Sequence, residues 1–195
     1  MPEIKKEFRC RLWLILLATL AFLFGLYAGL AAPTAEVGGT AKFLESIREL
    51  AKLYKPYSVS TMVFLLLKNS LTVYLIYLVG VLLAFPSAIM VMLNGFVVGA
   101  VGRALANEYG ILIAFASLAT HGIFEITALI IAGAFGLSIG LHVIRKFSRA
   151  PPWIKDRLAE TIKRDLATIT IACIPLLAIA AFIETYVTPL VSGLY

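Results

Sequence analysis

The side chains able to do chemistry in this sequence are few, and most stand where such groups are costly. His121 and Glu125 lie inside one long apolar run, Glu184 in another, Lys68 and Asn69 in a third, and Asn94 in a fourth. A charged side chain at the centre of a bilayer costs about 2.5–3.5 kcal/mol on insertion scales, so such groups persist where they are paired or where they work. The four-residue spacing of His121 and Glu125 puts both on one face of a helix, with Cβ atoms about 5–6 Å apart. In a low dielectric such a pair shares a hydrogen bond or a proton. Imidazole and carboxylate also both ligate zinc or iron. A closed zinc site takes four ligands, so Glu184 and a fourth group would have to join. No metal and no cofactor is therefore expected, with His121, Glu125 and Glu184 as the alternative ligand set.

Two readings of the intramembrane set Asn69, Asn94, His121, Glu125 and Glu184 stay open. In one, the groups tie helices together, at about 0.6 kcal/mol per interhelical hydrogen bond. In the other, they line a proton or ion path, for which intramembrane acids are the usual marker. Glu184 stands nearest the outer end of its run, where it could snorkel to the surface. Enzyme chemistry is not expected. The sequence holds no GxSxG, P-loop, GxGxxG or HExxH, the signatures of soluble-enzyme sites. Ser117 precedes His121 by four residues, but a transmembrane serine usually bonds its own backbone. The two cysteines, Cys10 and Cys173, form no CxxC pair, so neither a zinc knuckle nor a disulfide framework is indicated.

The elements that must position these residues are membrane spans. Of the 195 residues 61% are hydrophobic and 14% charged, against about 45–50% and about 25% in soluble domains. That balance excludes a soluble globule and a disordered chain. Five runs are long enough for a bilayer core of about 30 Å, which needs roughly 20 helical residues: 12–32, 62–85, 86–106, 111–141 and 166–191. They are apolar on all sides, as lipid-embedded helices are, and lack the alternation of barrel strands. The fold class expected is all-α: a polytopic membrane helix bundle of about five transmembrane helices, forming one membrane domain over 1–195.

Several local features refine that expectation. Spans two and three are separated by a tight turn at Phe85-Pro86-Ser87. Span four, of about 31 residues and about 46 Å, exceeds the bilayer, so it tilts, protrudes or breaks near Gly133 and Gly136. Pro175 should kink span five. Amphipathic helices are expected at 40–55 and 153–164, on the bilayer surface or packed on the bundle, the second either separate or running straight into span five. Small-xxx-small pairs mark packing faces at Gly25 and Gly29, Gly95 and Gly99, and Gly136 and Gly140, because small residues let helix backbones approach. Packing within the chain is expected, with a homodimer contact through span one as the alternative. That span is longer than a secretory h-region and reads as a retained signal-anchor.

Charge sets the orientation. Lys5, Lys6, Arg9 and Arg11 precede span one, and Arg145, Lys146, Arg149, Lys155, Arg157, Lys163 and Arg164 lie between spans four and five. The other side carries Lys42, Arg48, Lys52, Lys55 and Arg103. Because Lys and Arg accumulate in cytoplasmic loops, the N-terminus is expected inside and the C-terminus outside. The net charge of +6 is then a matter of topology, and nucleic acid is not expected as a partner. The lipid bilayer is.

The order of the motifs carries a resemblance. Asn69 comes early in span two, then Gly80, then Asn94-Gly95-Phe96-Val97-Val98-Gly99, then His121-Gly122-Ile123-Phe124-Glu125, then Ala181-Phe182-Ile183-Glu184-Thr185-Tyr186-Val187-Thr188-Pro189. Over residues 60–190 this resembles the stage II sporulation protein M family of multi-pass membrane proteins, with His-Gly-xx-Glu the most specific element. The founding member works in engulfment and recruits two cell-wall-degrading partners. The resemblance implies a non-catalytic scaffold or membrane-remodelling component of the cell membrane, meeting other membrane or cell-envelope proteins. Such domains also occur outside spore formers, including archaea, and this sequence looks like that broader kind. An ion or proton channel, or a small-solute transporter, is the alternative.

Overall fold

The computed structural model describes residues 2–32, 54–149 and 156–192. Helix α1 is Pro2–Ala31, α2 is Val59–Leu82, α3 is Ala84–Tyr109, α4 is Ile111–Arg149 and α5 is Asp156–Phe182. A π-helical turn, Ile183–Val187, joins α5 to a last short helix α6, Thr188–Ser192. There is no strand among the described residues. Five segments are long and apolar enough to cross a membrane: Leu12–Ala31, Val59–Leu82, Ala84–Tyr109, Ile111–Ile144 and Leu158–Val191. Large apolar side chains such as Trp13, Phe24, Tyr27 and Ile171 are exposed on the outside of the bundle. In water such a surface would aggregate; in a bilayer lipid covers it.

The connections are abrupt. Leu83 alone, extended at φ −162° and ψ 156°, separates α2 from α3. The turn thus falls just before the expected Phe85-Pro86-Ser87, and Pro86 lies in the first turn of α3, where its missing N–H is no loss. Ser87 closes this hairpin by donating to the Ile76 carbonyl at 2.7 Å. Gly110, at φ +92°, turns α3 into α4, a conformation that glycine adopts at no steric cost.

Helix continuity bears on span four and on Pro175. The 39-residue α4 does not break at Gly133 or Gly136. Those glycines are buried sites of close approach, where a Cβ would meet Val91 Cγ2 and Ser87 Oγ. The helix overshoots the bilayer unbroken. Pro175 lies inside α5, which continues through it; regular α geometry is lost instead at the turn 183–187. Residues 156–164 belong to α5, so the second amphipathic piece runs into span five as one helix. The first piece, 40–55, lies outside the described residues except for its last two, which are not helical.

Helix α1 packs most extensively on α3, although α2 follows it in sequence. The reason is a mutual pair of glycine faces. A methyl added at Gly25 would strike the Met92 carbonyl oxygen, and one at Gly29 that of Phe96. From the other side, Gly95 abuts the Phe22 carbonyl and Gly99 that of Leu26. Arg103 on α3 then donates to the Leu30 carbonyl at 2.7 Å, filling an acceptor that the end of α1 leaves unpaired. The glycine face of α1 is therefore occupied by α3 of its own chain. Gly140 likewise lies against Ala84, and Gly80 against Gly136, which brings α2 and α3 close to α4.

Candidate functional site

Helix α4 supplies the spine of the site. Ser117, His121 and Glu125 follow at four-residue intervals, so they share one face. Across from them stand Asn69 on α2, Glu184 in the π-helical turn and Thr188 at the start of α6. Asn69 donates its amide Nδ2 to Glu125 Oε1. His121 Nδ1 lies 3.3 Å from Thr188 Oγ1, and the Thr188 hydroxyl is 2.9 Å from that of Thr120. Glu125 is in electrostatic reach of Glu184, His121 and Lys68, and Lys68 acts on Glu184 as well. The side chains of Glu125 and Glu184 thus share one layer, with Lys68 close to both. Glu184 is half-buried beside the others.

Two of the polar residues lie apart from this network. Asn94 donates to the Met90 carbonyl of its own helix at 2.8 Å, so its amide is used along α3 and not between helices. Ser117 behaves contrary to expectation: its Oγ is buried and has no hydrogen-bond partner among the described residues. The imidazole one turn away faces Thr188 through its Nδ1. Among the described residues no three His, Cys, Asp or Glu side chains come together as a group that could hold a metal ion.

The layer has a packed apolar floor. Two turns further along α2, about 12 Å at the helical rise, Tyr77 donates to Asp165 of α5 at 3.4 Å. Between this pair and the Asn69–Glu125 bond lie Val73, Ile169 and Cys173, each fully buried at 0% exposure, with Leu177 at 1%. Interiors packed this tightly hold few voids as large as a water molecule.

The roof is a short strap, residues 54–58, that leads into α2. The Tyr54 hydroxyl donates to the Glu184 carbonyl at 2.6 Å, and the Tyr57 amide donates to the Thr185 carbonyl at 3.1 Å. Tyr57 stands at φ +59°, a region costly for a bulky residue. Its ring packs on Tyr186, centroids 6.5 Å apart. Lys55 N donates to Thr61 Oγ1 at 3.1 Å and ties the strap to α2. Sequence reasoning missed Thr120, Thr188, Tyr54 and the Tyr77–Asp165 pair. Thr188 could have been found as the residue one turn beyond Glu184; nothing in the spacing marks Tyr54.

Five apolar spans closed around a buried polar layer define a polytopic helical membrane protein. The chain belongs to the family described as Stage II sporulation protein M, whose model matches residues 14–189. It is similar to an uncharacterized protein of Methanocaldococcus jannaschii, 34% identical over 131 residues, which cover 64% of this chain and 69% of the relative. No solved structure matches.

Proposed function

We propose that this chain is a non-catalytic membrane scaffold, one membrane domain over 1–195, whose intramembrane polar groups hold its helices in register while its outer surfaces meet lipid and envelope partners. One observation carries the reading. The polar side chains engage one another across helices, Asn69 with Glu125 and His121 with Thr188, above a floor of Val73, Ile169 and Cys173 at 0% exposure. A conducting path would need polar groups continuous through both leaflets. Instead, the packed apolar side chains of Val73, Ile169 and Cys173 stand between the upper polar groups and the Tyr77–Asp165 pair in the core, and the Tyr74–Thr170 hydrogen bond lies on the outer side of α2 and α5.

Flux in proteoliposomes tests this. Wild type and Glu125→Gln are both expected to pass no more protons, Na+ or K+ than empty vesicles, under pH gradients of either sign. Wild-type flux that Glu125→Gln abolishes would replace the scaffold with a channel or transporter. The proposed orientation, with the N-terminus in the cytoplasm, follows from the seven basic residues between 145 and 164, since such residues stay inside. A cysteine placed at Ser148 should resist an impermeant thiol reagent applied to intact cells and react once the cells are opened. Labelling from outside would reverse the topology.

A further inference from the structure

We propose that residues 54–58 form a latch on a hinge at 183–187: closed, it holds Glu184 and Thr188 against α4, and its release lets the terminal turn swing them away. The case rests on where the backbone hydrogen bonds go. In an α-helix each carbonyl accepts from the amide four residues on. Here the Thr188 amide reaches back five, to the Ile183 carbonyl, so the Glu184 carbonyl loses its helical donor. The Thr185 carbonyl would take its bond from residue 189, which is Pro189 and has no N–H. Two successive carbonyls are therefore released at one place on the chain.

The strap meets both. Tyr54 donates its hydroxyl to the Glu184 carbonyl at 2.6 Å, and Tyr57 donates its amide to the Thr185 carbonyl at 3.1 Å. Two separate donors on one four-residue stretch thus match two adjacent vacancies on another. The segment they hold carries the polar layer's far wall, because Thr188 bonds Thr120 at 2.9 Å and approaches His121 at 3.3 Å. The latch is also loaded. Tyr57 sits at φ +59°, a conformation that persists only when its surroundings impose it. Wide π turns of this kind collect at functional sites in helices. The strap lies at the membrane end of the bundle and the layer it governs lies inside, so whatever pulls on the strap acts on Glu184 and Thr188.

Amide hydrogen exchange over 183–192, in purified full-length protein in nanodiscs, tests the latch. Tyr54→Phe is expected to speed exchange there by about fivefold or more, the factor that one lost hydrogen bond of ordinary strength represents. Exchange in the core of α2 should not change. Adding Pro189→Ala supplies an amide that, continuing the five-residue register by which the Thr188 amide reaches Ile183, donates to the Glu184 carbonyl that Tyr54→Phe leaves bare, so exchange should slow back towards wild type. Unchanged exchange in Tyr54→Phe overturns the proposal. Faster exchange that Pro189→Ala does not reverse overturns it too, since the damage would then be general.

Discussion

The seam between α1 and α3 and the layer among α2, α4 and the end of α5 join helices by opposite means. In the seam there is almost nothing to bond with. Gly25, Gly29, Gly95 and Gly99 present no side chain at their points of contact, and each lies against a carbonyl of the other helix. Lipid tails are as apolar as leucine, so this contact draws its strength from close van der Waals packing. In the layer, side chains do the joining: Asn69 to Glu125 and His121 to Thr188. Such bonds are individually modest in a bilayer, because the separated helices find other partners. Shape fixes the first contact and chemistry the second, and the two should fail differently under mutation.

The largest effect is expected in the seam. Gly25→Ala places a methyl on the Met92 carbonyl oxygen, and a backbone atom cannot rotate out of the way. The cost should reach about 3 kcal/mol, the upper end for overpacking, seen as a lowered midpoint in thermal unfolding in detergent. A tolerated alanine would mean that α1 and α3 sit farther apart than described. The polar layer should yield less. Glu125→Ala strands the Asn69 amide, at about 1–3 kcal/mol for an unsatisfied group. Asn69→Ala with Glu125→Ala should then show a coupling of about 0.6–1.7 kcal/mol. Additive singles would show that the two groups do not act as a pair. The smallest effect belongs to Asn94→Leu. Among the described residues its amide bonds its own helix, so the change should stay within about 0.5 kcal/mol; a loss as large as that of Glu125→Ala would place Asn94 in the network after all.

Sequence alone made the five spans legible, because nothing else accommodates apolar runs of this length. It also marked His121, Glu125, Asn69 and Glu184, since a polar group inside such a run stands out against its neighbours. Pairings were harder to read. Two small-xxx-small faces say that helices approach closely, but not which ones, and only the packed chain joins Gly25 and Gly29 to Gly95 and Gly99. Proline shows the same limit. Pro175 drew attention by standing in mid-span, yet it is exposed and α5 runs through it. Pro189 has the larger consequence, because the carbonyl it leaves without a helical donor lies beside the Tyr57 amide. That neighbour comes from a loop, where no periodicity announces it. The unpaired Ser117 hydroxyl was likewise invisible, since whether a serine turns back on its own helix is decided by packing.

The α1–α3 seam also sets a timetable for synthesis. Gly29 and Gly95 are 66 residues apart, and chains grow at about 5–20 residues per second. For several seconds, then, α1 sits in the bilayer with its glycine face bare, and Arg103, which supplies the bond at the end of α1, emerges later still. The newly made first helix spends that interval as a narrow, grooved rod open to any other small-faced helix nearby. The insertion machinery must therefore keep α1 apart from competitors until α3 arrives, and errors in biogenesis are expected to begin at this groove.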